Sequence, residues 1–198
     1  PPILNGQGSK VQPDWFFRFL KEIDPIRPWL SVRMPTFDFD DQNAIDVVTY
    51  FSRLEDQPFP YRTFVEKRLG SGDIRGATQL FSPDIFNCWT CHQKGDINPK
   101  GDPASWAPDL TLARERLKPE WIRSWLWDPQ KILPGTKMPT FFGDEMAYLP
   151  EDMAQYLKLP EGTKPEDGIL LVPTDTVIEA LTDYMIYGLH QGVQISQR

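Results

Sequence analysis

The residues best suited to chemistry form one pentapeptide, Cys88-Trp89-Thr90-Cys91-His92. Two thiols three positions apart on a helical turn can each add to one vinyl group of a haem. The adjacent imidazole then reaches the iron from the same side. This spacing is the pattern of covalent c-type haem attachment. The pentapeptide therefore predicts one covalently bound haem with His92 as an iron ligand.

Two other kinds of site use a Cys-x-x-Cys pair. A structural zinc site needs four ligands, whereas the chain has two cysteines and two histidines, and His190 is remote from the pair in sequence. A thioredoxin-like motif needs no histidine after its second cysteine and belongs to an alternating strand–helix pattern, which is missing here. Both alternatives fit the sequence less well than haem does.

The segments around the pentapeptide resemble class I cytochrome c. Residues 76–81 match the family's N-terminal helix, Pro108-Asp109-Leu110 its Pro-x-Leu step, Lys137-Met138-Pro139 the segment with the distal methionine, and 174–189 its C-terminal helix. The resemblance covers residues 71–190. It implies an all-α cytochrome c fold with haem c as the cofactor.

The resemblance also assigns roles to single residues. The Pro108 carbonyl accepts the imidazole N–H of His92, a contact that fixes the ring and raises its basicity. Met138, 46 residues after His92, is the sixth iron ligand. The cofactor-binding set is thus Cys88, Cys91, His92, Pro108 and Met138. Methionine is usually core filler, and His190 is the rival ligand in a bis-His alternative.

Met138 follows a helix predicted over 119–128 and a loop rich in Pro and Gly, which can reach the opposite haem face. Trp121 and Trp125 lie four positions apart in this helix. That spacing predicts that both rings pack on the haem or the core. A docking patch beside the haem edge is the alternative.

The chain also contains an internal repeat. The first copy ends in a helix predicted over 40–54, with Asp40 as its N-cap, and this helix corresponds to 174–189. The matching segments are Pro2-x-Leu4 with Pro108-x-Leu110, Pro13-Asp14-Trp15 with Pro119-Glu120-Trp121, and Arg33-Met34-Pro35-Thr36-Phe37 with Lys137-Met138-Pro139-Thr140-Phe141.

Residues 1–57 are therefore interpreted as the C-terminal half of a second cytochrome c domain, without a Cys-x-x-Cys-His in this chain. The missing half lies upstream in a longer precursor, or on a partner chain, or the copy has lost its haem and kept a structural role. We favour a neighbouring half-domain with its own haem, for which Met34 is the candidate distal ligand. The alternative is that Met34 packs in a degenerate core.

The predicted organisation has three parts: the partial domain over 1–57, a linker over 58–70 with a short amphipathic helix at 61–69, and the complete haem domain over 71–198. The second copy carries an insertion at 142–173. Its Pro, Gly and acidic residues predict a loop with a short helix around 151–157. The predicted fold class is all-α: one complete haem domain plus the C-terminal half of another.

Composition excludes several classes of function. The 198 residues carry a net charge of −7 and no basic stripe, so nucleic-acid binding has no electrostatic basis. The longest aliphatic run, 169–172, is far below the ~20 residues of a membrane span. No nucleotide-binding Gly-rich loop and no Gly-x-Ser-x-Gly is present. The acidic surface suits a basic patch on a redox partner.

His/Met ligation leaves no open position on the iron, which suits electron transfer rather than catalysis. The sequence therefore predicts a non-enzymatic electron carrier, periplasmic or extracytoplasmic, in a respiratory or photosynthetic membrane complex. One alternative is a haem-bearing subunit through which electrons enter an extracytoplasmic oxidoreductase whose active site is on another chain. A gas-sensing or peroxidatic protein with a labile Met138 bond is another. In a structural alternative, the first copy serves only as a scaffold.

Overall fold

The computed structural model describes residues 4–58 and 66–190. By their internal contacts these residues form two compact units. The first unit contains 4–58 and 92–121, and the second contains 66–91 and 122–190. The chain passes from the first unit to the second between residues 58 and 66, returns to the first after Cys91, and enters the second again after Trp121. These limits differ from the predicted domain organisation of 1–57, 58–70 and 71–198, which stays a prediction.

The first unit is built from short helices of both copies. The first copy supplies α1 (Gln7–Lys10), α2 (Pro13–Lys21) and α3 (Asp41–Leu54), and the second supplies α5 (Ala113–Arg116) with 3-10 turns at Pro103–Ser105 and Leu110–Leu112. Asp40 is the N-cap of α3, since its side chain accepts a hydrogen bond from the backbone N–H of Asn43 at 2.7 Å. The predicted helix over 40–54 and its cap are confirmed.

The first unit has a small core between α2 and α3. Leu20, Ala44 and Val48 are buried there against phenylalanines of α2. Gly8 allows α1 to lie directly on α3, because a Cβ at this position would overlap the carbonyl group of Phe51. The close approach therefore requires glycine.

The second unit contains α4 (Ser71–Leu80), α7 (Pro129–Ile132) and α8 (Thr174–Asp183), which continues as a π-helical turn over Tyr184–Gly188. Helix α6 (Pro119–Trp127) begins in the first unit and ends in the second. Helix α4 packs against α8. Gly76 makes room for the neighbouring 3-10 helix (Glu151–Gln155), because a Cβ at Gly76 would lie 2.8 Å from that of Tyr156.

The all-α prediction is wrong. The insertion forms an antiparallel pair of strands, β1 (Met146–Pro150) and β2 (Ile169–Pro173), with Tyr148 opposite Leu171. Alternate residues of both strands are buried, Ala147 and Leu149 in β1 and Leu170 and Val172 in β2. This alternation is the pattern of a strand with one buried face. The fold is therefore mixed, and the structure gives no support for an all-α cytochrome c fold.

Two further predictions concern the insertion and the linker. Where a short helix was expected around 151–157, the structure has the 3-10 helix at Glu151–Gln155. Of the helix predicted over 61–69, residues 66–69 are not helical. Residues 61–65 of that helix, Pro2 of the repeat and residues 191–198 lie outside the described ranges.

Across residues 4–58 and 66–190, no helix has both the length and the apolar character needed to cross a membrane.

The first copy ends in α3 and the second in α8 with its π-helical turn, and the tyrosines of these two segments differ in burial. Tyr184 is 4% exposed and packs edge-to-face on Phe81, with ring centroids 5.1 Å apart, whereas Tyr50 is 61% exposed. We expect Tyr184→Ala to lower the free energy of unfolding by about 3 kcal/mol, because it removes a buried ring. Tyr50→Ala, the matched control, should change it by less than about 0.5 kcal/mol. Urea denaturation checks both values, and equal losses would contradict the difference in burial.

Candidate functional site

The two cysteines lie on one tight turn of the second unit. Residues Cys88–Thr90 form a 3-10 helix, and the Cys91 N–H donates to the Cys88 carbonyl at 3.2 Å. Asn87 begins the turn in the left-handed region, with φ 51°, a conformation that asparagine tolerates better than most residues. Both cysteines are free thiols. The turn therefore presents two thiols three positions apart, as the motif requires.

The environment of Cys88 differs from that of a redox-active cysteine. Burial raises the pKa of its thiol to about 12, and the neighbouring Cys91 adds to this effect. Reactive cysteines in thioredoxin-like motifs have a lowered pKa instead. The partly buried thiol of Cys88 is therefore protonated at neutral pH, which does not suit disulfide exchange.

His92 is held by the Pro-x-Leu segment within the first unit. Its Nδ1 lies 2.8 Å from the Pro108 carbonyl oxygen, and His92 forms a parallel bridge with Ala107. Because a carbonyl oxygen can only accept, Nδ1 carries the hydrogen. Burial lowers the pKa of His92, despite the opposing effects of the Pro108 hydrogen bond and the Asp109 charge. The imidazole is therefore neutral, with its basic lone pair on Nε2.

Asp109 fixes the segment that carries Pro108. Its carboxylate accepts hydrogen bonds from the backbone N–H groups of Gly95 and Thr111, at 3.0 and 2.8 Å, and from the Thr111 hydroxyl at 2.7 Å. The Leu110 N–H also donates to the Gln93 carbonyl at 3.1 Å. These bonds connect the residues after His92 to the residues after Pro108. The orientation of the imidazole thus rests on several bonds.

Met138 lies in the loop after α7 and is partly buried. Its Sδ accepts a hydrogen bond from the indole N–H of Trp125 at 2.8 Å. Gln130 holds the loop, because its Nε2 donates to the carbonyls of Thr136 and Met138 at 2.7 and 2.9 Å. A thioether sulfur has two lone pairs, so one stays available to a metal while the other accepts from Trp125.

Aromatic contacts join the Met138 segment to the cysteine turn within the second unit. The ring of Phe86, two residues before Cys88, packs edge-to-face on Phe141 and Phe142, at centroid distances of 5.4 and 5.1 Å. Trp89, within the turn, packs on Phe81 with a distance of 5.1 Å between the ring centroids. The structure therefore brings the Cys88 turn and the segment just after Met138 together.

The two rival ligands lie in different units. His190, the last described residue before the C-terminal gap, belongs to the second unit. Met34 lies between α2 and α3 in the first unit and is 37% exposed. Within the described ranges no three side chains of His, Cys, Asp or Glu come close enough to hold a metal ion.

The donor chemistry of these residues fits a c-type haem. Two free thiols, a neutral imidazole with its lone pair on Nε2 and a thioether are the groups that such a haem requires. In the first unit the indole N–H groups of Trp29 and Trp106 are buried and have no hydrogen-bond partner. Their rings lie edge-to-face at 5.5 Å, and Trp106 directly precedes the residue that pairs with His92. Two buried indole N–H donors therefore lie unpaired next to the segment that holds His92.

The sequence missed two supporting residues. Trp125, which is predicted to pack on the haem or the core, also donates its indole N–H to the Met138 sulfur. Gln130 was not singled out, although a glutamine at the start of α7, just before a Pro- and Gly-rich loop, is well placed to bind loop carbonyls. No sequence motif predicts either role, because both depend on the path of the loop that contains Met138.

Haem attachment by Cys88 and Cys91 and iron ligation by His92 and Met138 stay predictions. The structure contains the His92–Pro108 hydrogen bond on which part of that assignment rests. A scan against protein-family models finds no match to this chain, and a search of curated proteins finds no similar sequence.

Proposed function

We propose that this chain is an electron-transfer c-type cytochrome with one haem on Cys88 and Cys91 and with His92 and Met138 as iron ligands. The observation that carries the proposal is the Cys-x-x-Cys-His pentapeptide together with the Nδ1 bond from His92 to Pro108. The motif is specific for covalent haem. The bond leaves Nε2, the usual metal-binding atom, unprotonated.

The protein's own residues have separate tasks in this proposal. Cys88 and Cys91 hold the cofactor, Pro108 orients the His92 ring, and Met138 supplies a soft thioether that favours the reduced metal. The bound haem supplies an iron that gains or loses one electron. With His92 and Met138 both bound to the iron, no ligand position would be left for a substrate. The chain is accordingly a carrier and not an enzyme.

We place the chain on the outer side of an energy-transducing membrane, in the periplasm or an equivalent compartment, since covalent haem attachment takes place there. The net charge of −7 suits contact with a basic patch on a redox protein or on a subunit of a respiratory or photosynthetic complex. Such contacts are small and transient in electron transfer.

We further propose that the first copy is completed by a cytochrome half-domain outside this chain. Tyr50 lies ten residues after Asp40, as Tyr184 lies ten residues after Thr174. In the second copy, Phe81 at the end of α4 covers Tyr184. The described part of the first copy has no preceding helix equivalent to α4, and it exposes a group of large apolar side chains: Val32, Phe37, Ile45, Tyr50 and Leu54. A haem-bearing half-domain there would take Met34 as its distal ligand.

The test of the main proposal is the intact mass of the purified chain with a pyridine haemochrome spectrum. We expect one haem per chain, bound through two thioether bonds. A colourless protein with the mass of the polypeptide alone would end the proposal. Two haems on this chain would contradict the assignment of the first copy, because the chain has only one cysteine pair.

The hydrogen bond from Trp125 to Met138 predicts a smaller effect. Its N–H places a partial positive charge at the sulfur, which disfavours the oxidised metal. Trp125→Phe should therefore lower the midpoint potential, by roughly 20–60 mV if a hydrogen bond of about 1 kcal/mol acts on one oxidation state. Trp127→Phe, in the same helix, is the control. Equal potentials for the wild type and Trp125→Phe would show that the bond has no electronic role.

A further inference from the structure

The outward face of the β1–β2 pair in the second unit is apolar. Burial alternates along both strands, so every second residue points away from the packed side of the sheet. The outward residues form three pairs across the strands: Met146 with Pro173, Tyr148 with Leu171, and Pro150 with Ile169. None of the six is polar, whereas the outward face of an antiparallel pair is usually polar and solvated. The strands therefore carry a second apolar face besides the one packed in the core.

The six outward residues, which we call the outer sheet face, are open to solvent at their centre. The exposed fraction is 72% for Tyr148, 49% for Ile169 and 41% for Leu171. A contiguous exposed apolar patch with a polar border is typical of a surface that contacts another molecule. The outer sheet face is therefore a candidate interaction surface.

Carboxylates border the outer sheet face at both ends. Two precede β1, two follow it, and two lie just before β2: Asp144, Glu145, Glu151, Asp152, Glu166 and Asp167, all of them exposed. At one end, the N–H of Thr174 donates to the Glu145 carbonyl at 2.8 Å. At the other end, the N–H of Glu151 donates to the Gly168 carbonyl at 3.1 Å. Backbone hydrogen bonds thus hold both groups of carboxylates at the ends of the strands.

The segment that contains the two strands carries most of the net negative charge of the chain. Residues 142–173 contain seven acidic residues and two lysines, a net charge of −5 compared with −7 for the whole chain. One of these lysines, Lys158, pairs with Asp73 outside the segment at 3.1 Å. Among residues 4–58 and 66–190, no cation lies within ion-pair distance of the seven carboxylates. A molecule that covers the outer sheet face therefore meets uncompensated negative charge.

This charge determines the kind of partner that fits. A second copy of the chain would bring the same carboxylates, and like charges across an interface are unfavourable. The outer sheet face also supplies only six residues, whereas a stable protein interface takes about 20–30 residues from each side. The surface of a membrane with anionic lipids would be repelled as well. The complementary partner is a small apolar surface bordered by Lys or Arg residues.

The dimensions of the outer sheet face match those of one α-helix. Five residues in each strand span about 17 Å, and paired strands lie about 5 Å apart. About eleven helical residues, or three turns, cover the same length, and a helix with its side chains is about 10 Å wide. One helix lying along the strands therefore covers the face and reaches the carboxylates at both ends.

We propose that the outer sheet face binds an amphipathic helix of a partner protein, about three turns long, with Lys or Arg residues at both ends. The apolar side chains of that helix cover Tyr148, Ile169 and Leu171, and its cations lie near Glu145 and Glu166. Exposed charge pairs add little affinity, but they set the orientation and the specificity of the contact. The proposal involves no haem and is independent of the proposed function.

The test is isothermal titration calorimetry of the purified chain with two capped synthetic helices of about 14 residues. Both have leucines along one face and alanines and glutamines along the other, but one has a pair of lysines at each end and the other has glutamates there. We expect saturable one-to-one binding of the lysine peptide that weakens with added salt, and no binding of the glutamate peptide. Equal affinities for the two peptides would overturn the proposal.

Tyr148→Ser and Leu171→Ser, made singly, should each weaken binding of the lysine peptide at least about tenfold, because each removes an apolar side chain from the contact. Ile97→Ser is the control, since Ile97 is 69% exposed and lies in the first unit. In the unaltered chain, the methyl resonances of Leu171 should shift when the lysine peptide binds, while those of Ile97 should not. This measurement needs no substitution, so unshifted Leu171 resonances overturn the proposal even if a variant fails to fold.

Glu166→Gln with Asp167→Asn should weaken binding about threefold at low salt. Glu22→Gln with Asp24→Asn removes the same charge from exposed positions of the first unit and should leave the affinity unchanged. Equal losses in the two double variants would indicate charge attraction without a site and would count against the proposal.

Two other results would replace the proposed partner and so overturn the proposal. One is binding of the wild type, but not of Tyr148→Ser, to phosphatidylglycerol vesicles, and the other is a dimer that Tyr148→Ser abolishes. A colourless chain that binds the lysine peptide would reject the proposed function and keep the interaction surface. A haem-bearing chain that does not bind it would do the reverse.

Discussion

The double substitution Cys88→Ser and Cys91→Ser is expected to produce a chain with no covalently bound haem. The serine hydroxyls keep the size of the side chains, but they form no thioether bond. After denaturing electrophoresis the variant should give no haem stain, and its intact mass should lack the mass of one haem. The pyridine haemochrome spectrum of each single variant should be that of a haem with one saturated vinyl group.

Thr90→Ala is the matched control for this experiment. It lies in the same 3-10 turn and leaves both thiols in place, so its haem content should equal that of the wild type. Covalent haem in the double variant would refute the assignment of the cysteines. Loss of haem from Thr90→Ala as well would show that the turn itself, and not the thiols, had been disturbed.

The second large effect is expected for Met138→Ala. Removing the thioether takes away a ligand that favours reduced iron, so the midpoint potential should fall by more than about 100 mV within the ~0.8 V range set by axial ligands. The long-wavelength absorbance band assigned to the iron–sulfur bond should disappear. Because an axial position is then open, the reduced variant should bind carbon monoxide, which the wild type should not.

Met34→Ala is the control, since Met34 has the same Met-Pro sequence context and lies in the first unit. It should leave the potential and the spectrum of this chain unchanged. An unchanged spectrum in Met138→Ala would remove Met138 from the ligand set. If His190→Ala then abolished the low-spin spectrum, bis-His ligation would take its place.

Helices with a clear start signal could be predicted from the sequence. Asp40 before an apolar stripe gave α3 with its cap, and 174–189 corresponds to α8 with its π-helical extension. The hydrogen bond between His92 and Pro108 could be predicted because a five-residue motif and a Pro-x-Leu step have a known relation. Local sequence signals and motifs were therefore sufficient to predict these helices and this hydrogen bond.

The insertion could not be predicted in the same way. Its prolines, glycines and acids suggested a loop, while the strands are only five residues each and lie 18 residues apart. Each strand is too short to be distinguished from a loop by its own pattern, and it is stabilised by pairing with a partner distant in the chain. The resemblance to class I cytochrome c also predicts no strands here, since that family is all-α.

The environment of the candidate ligands was outside the reach of sequence patterns. The Trp125–Met138 bond depends on which surfaces meet in the folded chain. Only the internal repeat provides a sequence signal. Once the offset between the two copies is known, equivalent positions such as Val11 and Leu117, which pair in the structure, can be listed. Nothing in the offset says that they meet.

The pairing of equivalent residues has a consequence for assembly. In the first unit, the segment around Val11 forms an antiparallel bridge with the segment around Leu117. A second molecule carries the same two segments, so the Val11 segment of one molecule is complementary to the Leu117 segment of the other. Two molecules can therefore trade their leading segments and form an intertwined pair while every bond of the closed monomer is kept. Such domain swapping needs no new interface. Its extent at high protein concentration therefore depends on the part of the chain that connects the Val11 segment to the Leu117 segment.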